Sequence, residues 1–251
     1  ILIPIETASG ERRVSATPAA VKKLKGLGCE VFVESSAGEL SGFNDTLYKE
    51  SGGEIVSESN INIWENADVV FCVQTPSESN LGKLKKGAIL LGLLNPYANK
   101  KLQNTIISKK ISALSMELLP RISRAQSSDV LSSQANIAGY KAVLLAASEL
   151  DRYFPMLMTA AGTVQPAKVV VLGGGVAGLQ AVATAKRLGA IVFVSDIRPA
   201  VKEQVESLGA RFIELPEIDE KPGESGGYAK AVTPEFLSKQ KATLTKYLSE
   251  A

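Results

Sequence analysis

The sequence predicts an α/β protein in which two mostly parallel sheets are joined by a long helix. Short apolar runs of strand length alternate with longer amphipathic runs, an order typical of a parallel sheet covered by helices on both faces. One apolar run of helix length, residues 128–150, separates two such series. The second series begins with a continuous apolar strand that leads directly into glycines, which is typical of a strand–turn–helix unit.

Local signals predict the elements of the first series. Thr17 before Pro18 is typical of an N-cap followed by the first residue of a helix, and Gly28 is typical of the residue that ends one. Asn44 predicts the start of a short second helix, and residues 98–109 predict a third. The apolar runs predict strands at residues 1–5, 30–34, 67–73, 88–94 and 111–117.

The second series completes the predicted domain organisation. Its strands are predicted at residues 168–172, 191–195 and 211–214, and a final helix at residues 234–248. We expect residues 1–120 to form the N-terminal domain, 121–166 a polar segment with the linking helix, and 167–251 the second domain. The sequence stops soon after the third strand of this second domain. We therefore expect the second domain to be incomplete and the chain to be a piece of a longer polypeptide.

Composition excludes several classes of protein. With 45% hydrophobic and 22% charged residues, the 251-residue chain has the composition of a soluble globular protein. The net charge of +2 offers no broad basic face for nucleic acid, and no apolar run approaches the ~20 residues that span a bilayer. The absence of histidine removes the commonest metal ligand, and no metal site is predicted. Cys29 and Cys72 are expected to be buried small hydrophobes.

A glycine motif opens the second domain. Residues 168–188 read KVVVLGGGVAGLQAVATAKRL, in which Gly173, Gly175 and Gly178 follow a strand and lead into a helix. In a dinucleotide-binding turn, the first glycine permits a tight turn, the second lets a pyrophosphate approach the backbone, and the third lets helix and strand pack closely. The helix N-terminus adds partial positive charge. In this context the motif predicts a Rossmann-like dinucleotide-binding domain.

An acidic residue lies where such a domain contacts ribose. Asp196 follows the second predicted strand, roughly 20 residues beyond the glycine motif. A carboxylate there accepts hydrogen bonds from the adenosine ribose and repels a 2′-phosphate, so it favours NAD over NADP. Arg198 weakens this preference slightly, because a nearby cation can accommodate the phosphate.

A polar segment precedes the linking helix. Residues 120–140 read PRISRAQSSDVLSSQANIAGY, which holds more hydrogen-bonding side chains than a connector needs. Arginine can offset the charge of a pyrophosphate, and glutamine offers both a donor and an acceptor to a carboxamide. Simpler interpretations stay open for single residues. Asp129 could stabilise the N-terminus of the helix, and Arg121 or Arg124 could be a solvated loop cation.

Several motifs together resemble one known family. The stretches MELLPRISRAQSSDVLSSQANIAGYKAV and FPMLMTAAGTVQPAKVVVLGGGVAGLQA, with GERRVSATP, ESSAGELSGFND, LLNPYAN and SDIRPAVKEQVESLGARF, resemble the NAD(H)-binding domain of proton-translocating NAD(P) transhydrogenase. The resemblance covers essentially the whole chain. It implies two Rossmann-like domains, NAD(H) as the cofactor bound here and NADP(H) held by a partner domain.

The resemblance also implies roles for individual residues. The nicotinamide end of NAD(H) would be positioned by Arg121, Gln126, Asp129 and Ser132. Further contacts would come from the backbone of Ile122 and Ser123, from Gly173, Gly175, Val176 and Gly178 in the turn, from Asp196, Ile197 and Arg198 at the adenosine end, from Gly227 and Tyr228 in a closing loop, and from Gln240.

Partners and location are implied in the same way. The resemblance implies an NADP-binding domain and a membrane domain of the same enzyme as partners, and a homodimer formed through this domain. It implies a soluble domain attached through other segments to a membrane, either the bacterial inner membrane on its cytoplasmic side or a mitochondrial-type inner membrane on its matrix side.

Two alternative functions stay open beside this one. The sister family, alanine dehydrogenase, has a substrate-binding lysine where this chain has Gln74 and a catalytic histidine where it has Asn95. Amino-acid oxidation needs proton transfer as well as hydride transfer, whereas transfer between two nicotinamides needs no protein acid or base. Arg13, which corresponds to the dehydrogenases' substrate arginine, is expected to form a structural salt bridge. A non-catalytic NAD-binding or dimerisation fragment is the third hypothesis.

Overall fold

The structure is a computed structural model that describes residues 1–57, 62–214 and 234–251. The described residues form two compact units, Ile1–Asp129 and Val130–Ala251. Each unit contains a parallel sheet with helices, so the predicted α/β fold class with mostly parallel sheets is confirmed.

The first unit is built on a six-stranded parallel sheet. Its strands are β1 (Leu2–Ile3), β2 (Phe32–Glu34), β3 (Glu54–Val56), β4 (Val69–Gln74), β5 (Ile89–Leu93) and β6 (Ser112–Ser115). They lie in the order β3-β2-β1-β4-β5-β6. The strands β1 to β3 are added towards one edge of the sheet and β4 to β6 towards the other, so the strand order reverses at the boundary between β1 and β4. All the predicted strands are present. The sequence does not predict β3, because only two of its residues, Ile55 and Val56, are apolar and they form no longer apolar run.

Two helices of the first unit, α1 and α2, begin at the predicted caps. The helices described in this unit are α1 (Pro18–Gly26), α2 (Asp45–Glu50), α3 (Asn62–Asn66), α4 (Glu78–Lys83) and α5 (Lys100–Lys109), with 3₁₀ turns at Glu39–Ser41, Met116–Leu118 and Ser123–Ser128. The sequence does not predict α3 and α4, and α5 begins two residues after the predicted start. The side chain of Thr17 accepts a hydrogen bond from the backbone N–H of Ala20 at 3.3 Å, and Asn44 caps α2 in the same way. Gly28 has a φ of +85°, which explains a glycine just beyond the helix end.

The second unit has a three-stranded parallel sheet. Its elements are α6 (Val130–Glu149), β7 (Leu157–Thr159), β8 (Gly162–Val164), β9 (Lys168–Leu172), α7 (Val176–Arg187), β10 (Ile191–Ser195), α8 (Val201–Ser207), β11 (Arg211–Phe212) and α9 (Pro234–Leu248). The strand order β11-β10-β9 contains all three strands predicted for this region of the chain. A separate antiparallel hairpin of β7 and β8 occupies the stretch where the sequence predicts only a break in the helix.

Helix α6 is fixed against α7 by a close backbone approach. A Cβ atom on Gly139 would lie 2.0 Å from the carbonyl oxygen of Ala177, so only glycine fits at this position. Three residues away on each helix, the amide of Asn136 donates a hydrogen bond to Oε1 of Gln180 at 3.0 Å. The N-terminal turns of α7 are therefore held by α6 on one side.

Helix α6 is the longest helix among the described residues, with 20 residues. Its apolar residues are not confined to one side, and Ile137, Tyr140 and Leu145 are each about half exposed. A surface helix normally confines its apolar residues to one stripe, so this pattern leaves apolar surface uncovered. No helix in the described ranges is both long and apolar enough to cross a membrane.

The two cysteines are free thiols. Cys72 is buried, as predicted, and its Sγ lies 3.4 Å from the carbonyl oxygen of Leu91. Burial raises the pKa of the Cys72 thiol to about 12, so it stays protonated and acts as a small hydrophobe. Cys29 is only partly buried.

Candidate dinucleotide-binding site

Packing within the protein requires two of the motif glycines. Gly173 follows β9 with a φ of +95°, a conformation that favours glycine, and its N–H donates to the carbonyl oxygen of Ser195 at 2.8 Å. A Cβ atom on Gly178 would lie 1.8 Å from the carbonyl oxygen of Gly173. The turn can therefore close onto α7 only when both positions are glycine.

Gly174 and Gly175 differ in what surrounds them. A Cβ atom on Gly174 would lie 2.3 Å from Cγ1 of Val201 in α8, so neighbouring side chains account for this glycine. A Cβ atom on Gly175 would meet no atom of the described residues within 4 Å, and its φ of −76° suits any residue. Packing among the described residues therefore gives no reason for a glycine at position 175. A group that approaches the backbone from outside, as a pyrophosphate does in such turns, gives one.

The N-terminus of α7 is suited to an anion. Gly175 is the N-cap residue, and because it has no side chain, no cap hydrogen bond occupies the first N–H groups of the helix. No acidic side chain lies in the first turn, whereas Lys186 and Arg187 lie in the last. No acidic side chain of the helix itself therefore offsets the partial positive charge at its N-terminus. Val176, the first helical residue, is 42% exposed there.

Asp196 is tied into the same turn. Its side chain is only 6% exposed. Oδ2 accepts hydrogen bonds from the N–H of Gly174 at 2.7 Å and from Nη2 of Arg198 at 3.0 Å. Oδ1 accepts from the backbone N–H of Arg198 at 2.8 Å and from its Nε at 3.0 Å. Burial by itself raises the pKa of Asp196, but the hydrogen bonds from Arg198 and Gly174 outweigh it and hold the pKa below its ordinary value.

The remaining predicted contacts at this end are spread over the second unit. Ile197, which follows Asp196 in the sequence, is partly buried. Gln240 is partly buried on α9, a helix whose Tyr247 ring packs 5.2 Å from the ring of Phe193 in β10. Gly227 and Tyr228, predicted for a closing loop, lie outside the described residues.

The polar segment folds largely as a 3₁₀ turn, Ser123–Ser128. Within the described residues the Gln126 amide is exposed and makes no hydrogen bond, so it is available to a ligand. Asp129 is partly buried, and its N–H closes the turn on the carbonyl oxygen of Gln126 at 3.3 Å.

The two units divide the predicted site residues between them. Those of the first unit are Arg121, Ile122, Ser123, Gln126 and Asp129, and the first four of these are exposed. Ser132 lies in the first turn of α6 and belongs to the second unit, as do the described residues of the glycine turn and its surroundings.

The carboxyl end of the first sheet holds a separate polar network. The side chain of Arg13 donates hydrogen bonds to Glu11 at 2.7 and 2.6 Å, so the predicted structural salt bridge is confirmed. The amide of Gln74 donates to the same carboxylate at 3.0 Å. The hydrogen bonds from Arg13 lower the pKa of Glu11 to about 2. Glu6 accepts the backbone N–H groups of Val73 and Gln74, while burial raises its pKa.

This network includes residues that sequence reasoning missed. Glu6 and Glu11 lie between β1 and α1, and the only sequence signal for them is their position in a loop beyond a strand end. At the neighbouring strand end, Asn95 has a φ of +44° and its N–H donates to Oε1 of Glu117 at 2.5 Å. Asn95 is therefore one of the residues that form a turn.

The fold and the site together define a class of protein. A parallel sheet whose first strand passes through a glycine turn into a helix, with a carboxylate just beyond the second strand, is the arrangement of a Rossmann-type nucleotide-binding protein. More specifically, the chain belongs to the alanine dehydrogenase/PNT family. The N-terminal domain of that family matches residues 2–138, and its C-terminal domain matches residues 142–251.

Known members of the family show how close the similarity is. The chain is 49% identical to a protein of Rhodospirillum rubrum that forms the first portion of an NAD(P) transhydrogenase alpha subunit, over 99% of this chain and 66% of that protein. A transhydrogenase structure from Sinorhizobium meliloti is similar with a TM-score of 0.86 and 42% identity, over 99% of this chain and 66% of that one. An L-alanine dehydrogenase structure has a TM-score of 0.73 and 29% identity, over 84% of this chain and 59% of that one. The chain spans about two thirds of the length of these two transhydrogenase relatives.

Proposed function

We propose that this chain is the NAD(H)-binding component of a proton-translocating NAD(P) transhydrogenase, in which hydride passes directly between NADH and NADP⁺ held by a partner domain. The observation that carries the proposal is Gly175, a glycine that no contact with the described residues requires, at the open N-terminus of α7. A bound reduced nicotinamide supplies the hydride. The residues of this chain bind the cofactor and orient it.

The first unit supports this function over amino-acid oxidation. Gln74 and Arg13, at positions where the dehydrogenases hold their substrate, are both bonded to Glu11. The described residues of this network contain no histidine or lysine that could move a proton to an imine or keto group. We expect no NADH oxidation that depends on pyruvate and ammonia. Turnover with those substrates would support the dehydrogenase alternative.

We assign the nicotinamide end of the site to the polar segment. Arg121, Gln126, Asp129 and Ser132 position the nicotinamide, with backbone contacts from Ile122 and Ser123. The glycine turn and Val176 meet the pyrophosphate, and Asp196, Ile197 and Arg198 meet the adenosine end, with Gly227, Tyr228 and Gln240 as further contacts. The corresponding regions of the chain are 1–120, 121–166 and 167–251.

A single side chain tests this assignment. Gln126→Asn keeps the amide but shortens its reach by one methylene, and misplacement of about 1 Å can slow an oriented reaction on the order of 100-fold. In the enzyme reconstituted with its NADP-binding partner, we expect a large fall in the single-turnover rate of hydride transfer and only a small rise in the NADH dissociation constant. Gln204→Asn, on an exposed face of α8, is the matched control. An unchanged rate in Gln126→Asn would make the segment a structural connector.

We propose that the chain forms a homodimer and joins an NADP-binding domain and a membrane domain. The uncovered apolar surface of α6 supports the dimer, since contact with a second copy would bury it. Ile137→Glu should then shift sedimentation at micromolar concentration towards the monomer, whereas Ile107→Glu, at an exposed residue of the first unit, should not. Attachment to the bacterial inner membrane on its cytoplasmic side, or to a mitochondrial-type inner membrane on its matrix side, belongs to the same proposal.

A further inference from the structure

The four hydrogen bonds of Asp196 fall into two kinds. One bond on each carboxylate oxygen comes from the backbone, from Gly174 N–H to Oδ2 and from Arg198 N–H to Oδ1. The other bond on each oxygen comes from the Arg198 side chain, through Nη2 to Oδ2 and Nε to Oδ1. A carboxylate offers about four lone-pair positions, so this one is fully used.

Only one kind of bond can be released without unfolding the turn. The backbone bonds join Asp196 to the glycine turn and to the loop that contains Asp196 and Arg198. Breaking these bonds would move the turn and the loop. The bonds from the guanidinium can be released by rotating a side chain that is 32% exposed, while the Asp196 side chain beneath it is 6% exposed. The guanidinium therefore covers Asp196 on the solvent side.

The two hydrogen bonds from the Arg198 side chain equal in number the two hydroxyl groups that a ribose can offer. The 2′ and 3′ hydroxyls of a ribose are two adjacent O–H donors, and a carboxylate at this strand end typically accepts hydrogen bonds from the adenosine ribose. A diol that bonds one hydroxyl to each oxygen requires the same two acceptor positions that Nε and Nη2 of Arg198 use. Ribose and guanidinium cannot both hold them.

We propose that the Arg198 side chain is an internal occupant of the adenosine-ribose position, which must leave Asp196 when NAD(H) binds and thereby sets both affinity and coenzyme selectivity. This inference rests on the proposed NAD(H) site in the second unit. Each binding event has to break two charge-assisted hydrogen bonds, which lowers the apparent affinity for NADH. The released guanidinium lies next to the 2′ position, where it partly offsets the repulsion between Asp196 and a 2′-phosphate.

Removing the guanidinium should therefore change the two affinities in opposite directions. In Arg198→Met the carboxylate keeps its two backbone donors and stays charged, but no internal ligand competes for it. We expect the NADH dissociation constant to fall about tenfold, since the two bonds from the partly exposed guanidinium are together worth roughly 1.4 kcal/mol net of solvent screening. The NADPH dissociation constant should rise, because Asp196 then faces the 2′-phosphate without compensation. Arg198→Lys keeps the charge but has no planar fork, so its values should lie between those of the wild type and Arg198→Met.

The experiment is a fluorescence titration of the protein that carries these residues, with NADH and with NADPH, for the wild type and both variants. Arg187→Met removes an exposed cation from the far end of α7, and should leave the NADH dissociation constant and the NADH-to-NADPH ratio as in the wild type. Thermal unfolding checks that each variant is folded. If Arg198→Met does not fold, the affinities of Arg198→Lys decide the outcome.

The outcomes separate the two proposals. If the wild type binds NADH and Arg198→Met binds it equally or less tightly, Arg198 is a clamp or a direct contact and the inference is wrong, while the proposed function stands. If the wild type binds neither coenzyme, the proposed function is wrong and the inference falls with it.

Discussion

The two units share a design at the end of their first strands. Each sheet contains three strands in the order third-second-first, and each has an acidic residue at or just beyond the end of the second strand. In the first unit, Oε2 of Glu34 accepts the N–H of Ile5 at 2.8 Å. In the second, Oδ2 of Asp196 accepts the N–H of Gly174 at 2.7 Å. In both units a carboxylate at the end of the second strand fixes the loop that follows the first strand by accepting a backbone hydrogen bond from it.

The loops and helix starts are where the units differ. In the second unit, three glycines lead directly into α7, and the helix N-terminus is left uncapped by any side chain. In the first unit, a long loop precedes α1, whose first residue is Pro18 and whose N-cap Thr17 already bonds the N–H of Ala20. At these two helix starts, only that of the second unit therefore has its N–H groups available to an anion. The comparison teaches that shared strand order does not give shared binding, which depends on a few residues at the turn.

The largest expected effect separates two glycines of the second unit. Gly178→Ala should lower the free energy of unfolding by about 3 kcal/mol, because the new Cβ would collide with the Gly173 carbonyl oxygen. Gly175→Ala should lower it by less than about 1 kcal/mol, yet weaken NADH binding at least about tenfold by filling the space that a pyrophosphate needs. Denaturant unfolding and NADH titration measure the two quantities.

A matched control for this pair comes from the first unit. Gly82 in α4 also has open space around its Cβ position, so Gly82→Ala should leave NADH affinity unchanged. Wild-type affinity in Gly175→Ala would mean that the open space in the turn is not the pyrophosphate site.

The next effect concerns the acidic residue of the first unit. Glu34 is 3% exposed, and its second oxygen accepts Nε1–H of Trp64 at 2.9 Å, so protein groups alone use this carboxylate. Glu34→Gln replaces one carboxylate oxygen by an NH₂ group, which then faces the N–H of Ile5 or the Nε1–H of Trp64. This substitution should destabilise the fold by roughly 2 kcal/mol and leave NADH affinity unchanged. The exposed Glu54→Gln should change stability by less than about 0.5 kcal/mol. A loss of NADH affinity in Glu34→Gln would contradict the distinction between the units.

The smallest effect is a pH dependence in the first unit. The pKa of Glu11 falls from 4.5 to about 2 on folding, chiefly through the hydrogen bonds from Arg13. A lowered pKa in the folded state stabilises the protein above pH 4.5, and this contribution is lost as the pH falls towards 2. The difference in unfolding free energy between wild type and Glu11→Gln should thus reach about 1 kcal/mol near neutral pH and shrink below pH 4.5. Arg13→Met should likewise remove the contribution of Glu11 to the pH dependence of stability. A difference in unfolding free energy between wild type and Glu11→Gln that does not change with pH would contradict this prediction.

Local signals are enough to predict much of the fold. Thr17 and Asn44 mark helix starts through contacts with residues three positions away, and the glycine turn is a contiguous motif between a strand and a helix. The short strand β3 and the hairpin of β7 and β8 are not predicted, because β3 and β8 hold no more than two adjacent apolar side chains and so form no apolar run.

For the candidate site, the sequence indicates residues but not their geometry. The sequence indicates Asp196 by its distance from the glycines, but not that Arg198 occupies its oxygens, which depends on a side-chain rotamer. Nor does it indicate why Gly174 is glycine, since that depends on the approach of Val201 from α8. The bond between Gln74 and Glu11 joins residues 63 positions apart, beyond the reach of any local pattern.

Hydrogen–deuterium exchange with and without NADH tests most directly whether the glycine turn and Asp196 of the second unit hold the pyrophosphate and the adenosine end of the dinucleotide. With NADH bound, deuterium uptake should slow in peptides that cover residues 172–178 and 195–198, where the turn and Asp196 lie, and stay unchanged in peptides that cover residues 4–17 between β1 and α1. Gly175→Ala, at the same NADH concentration, should lose the protection. Slower exchange in residues 4–17 with unchanged exchange in residues 172–178 would place the pyrophosphate at the loop between β1 and α1 and contradict the assignment of the glycine turn.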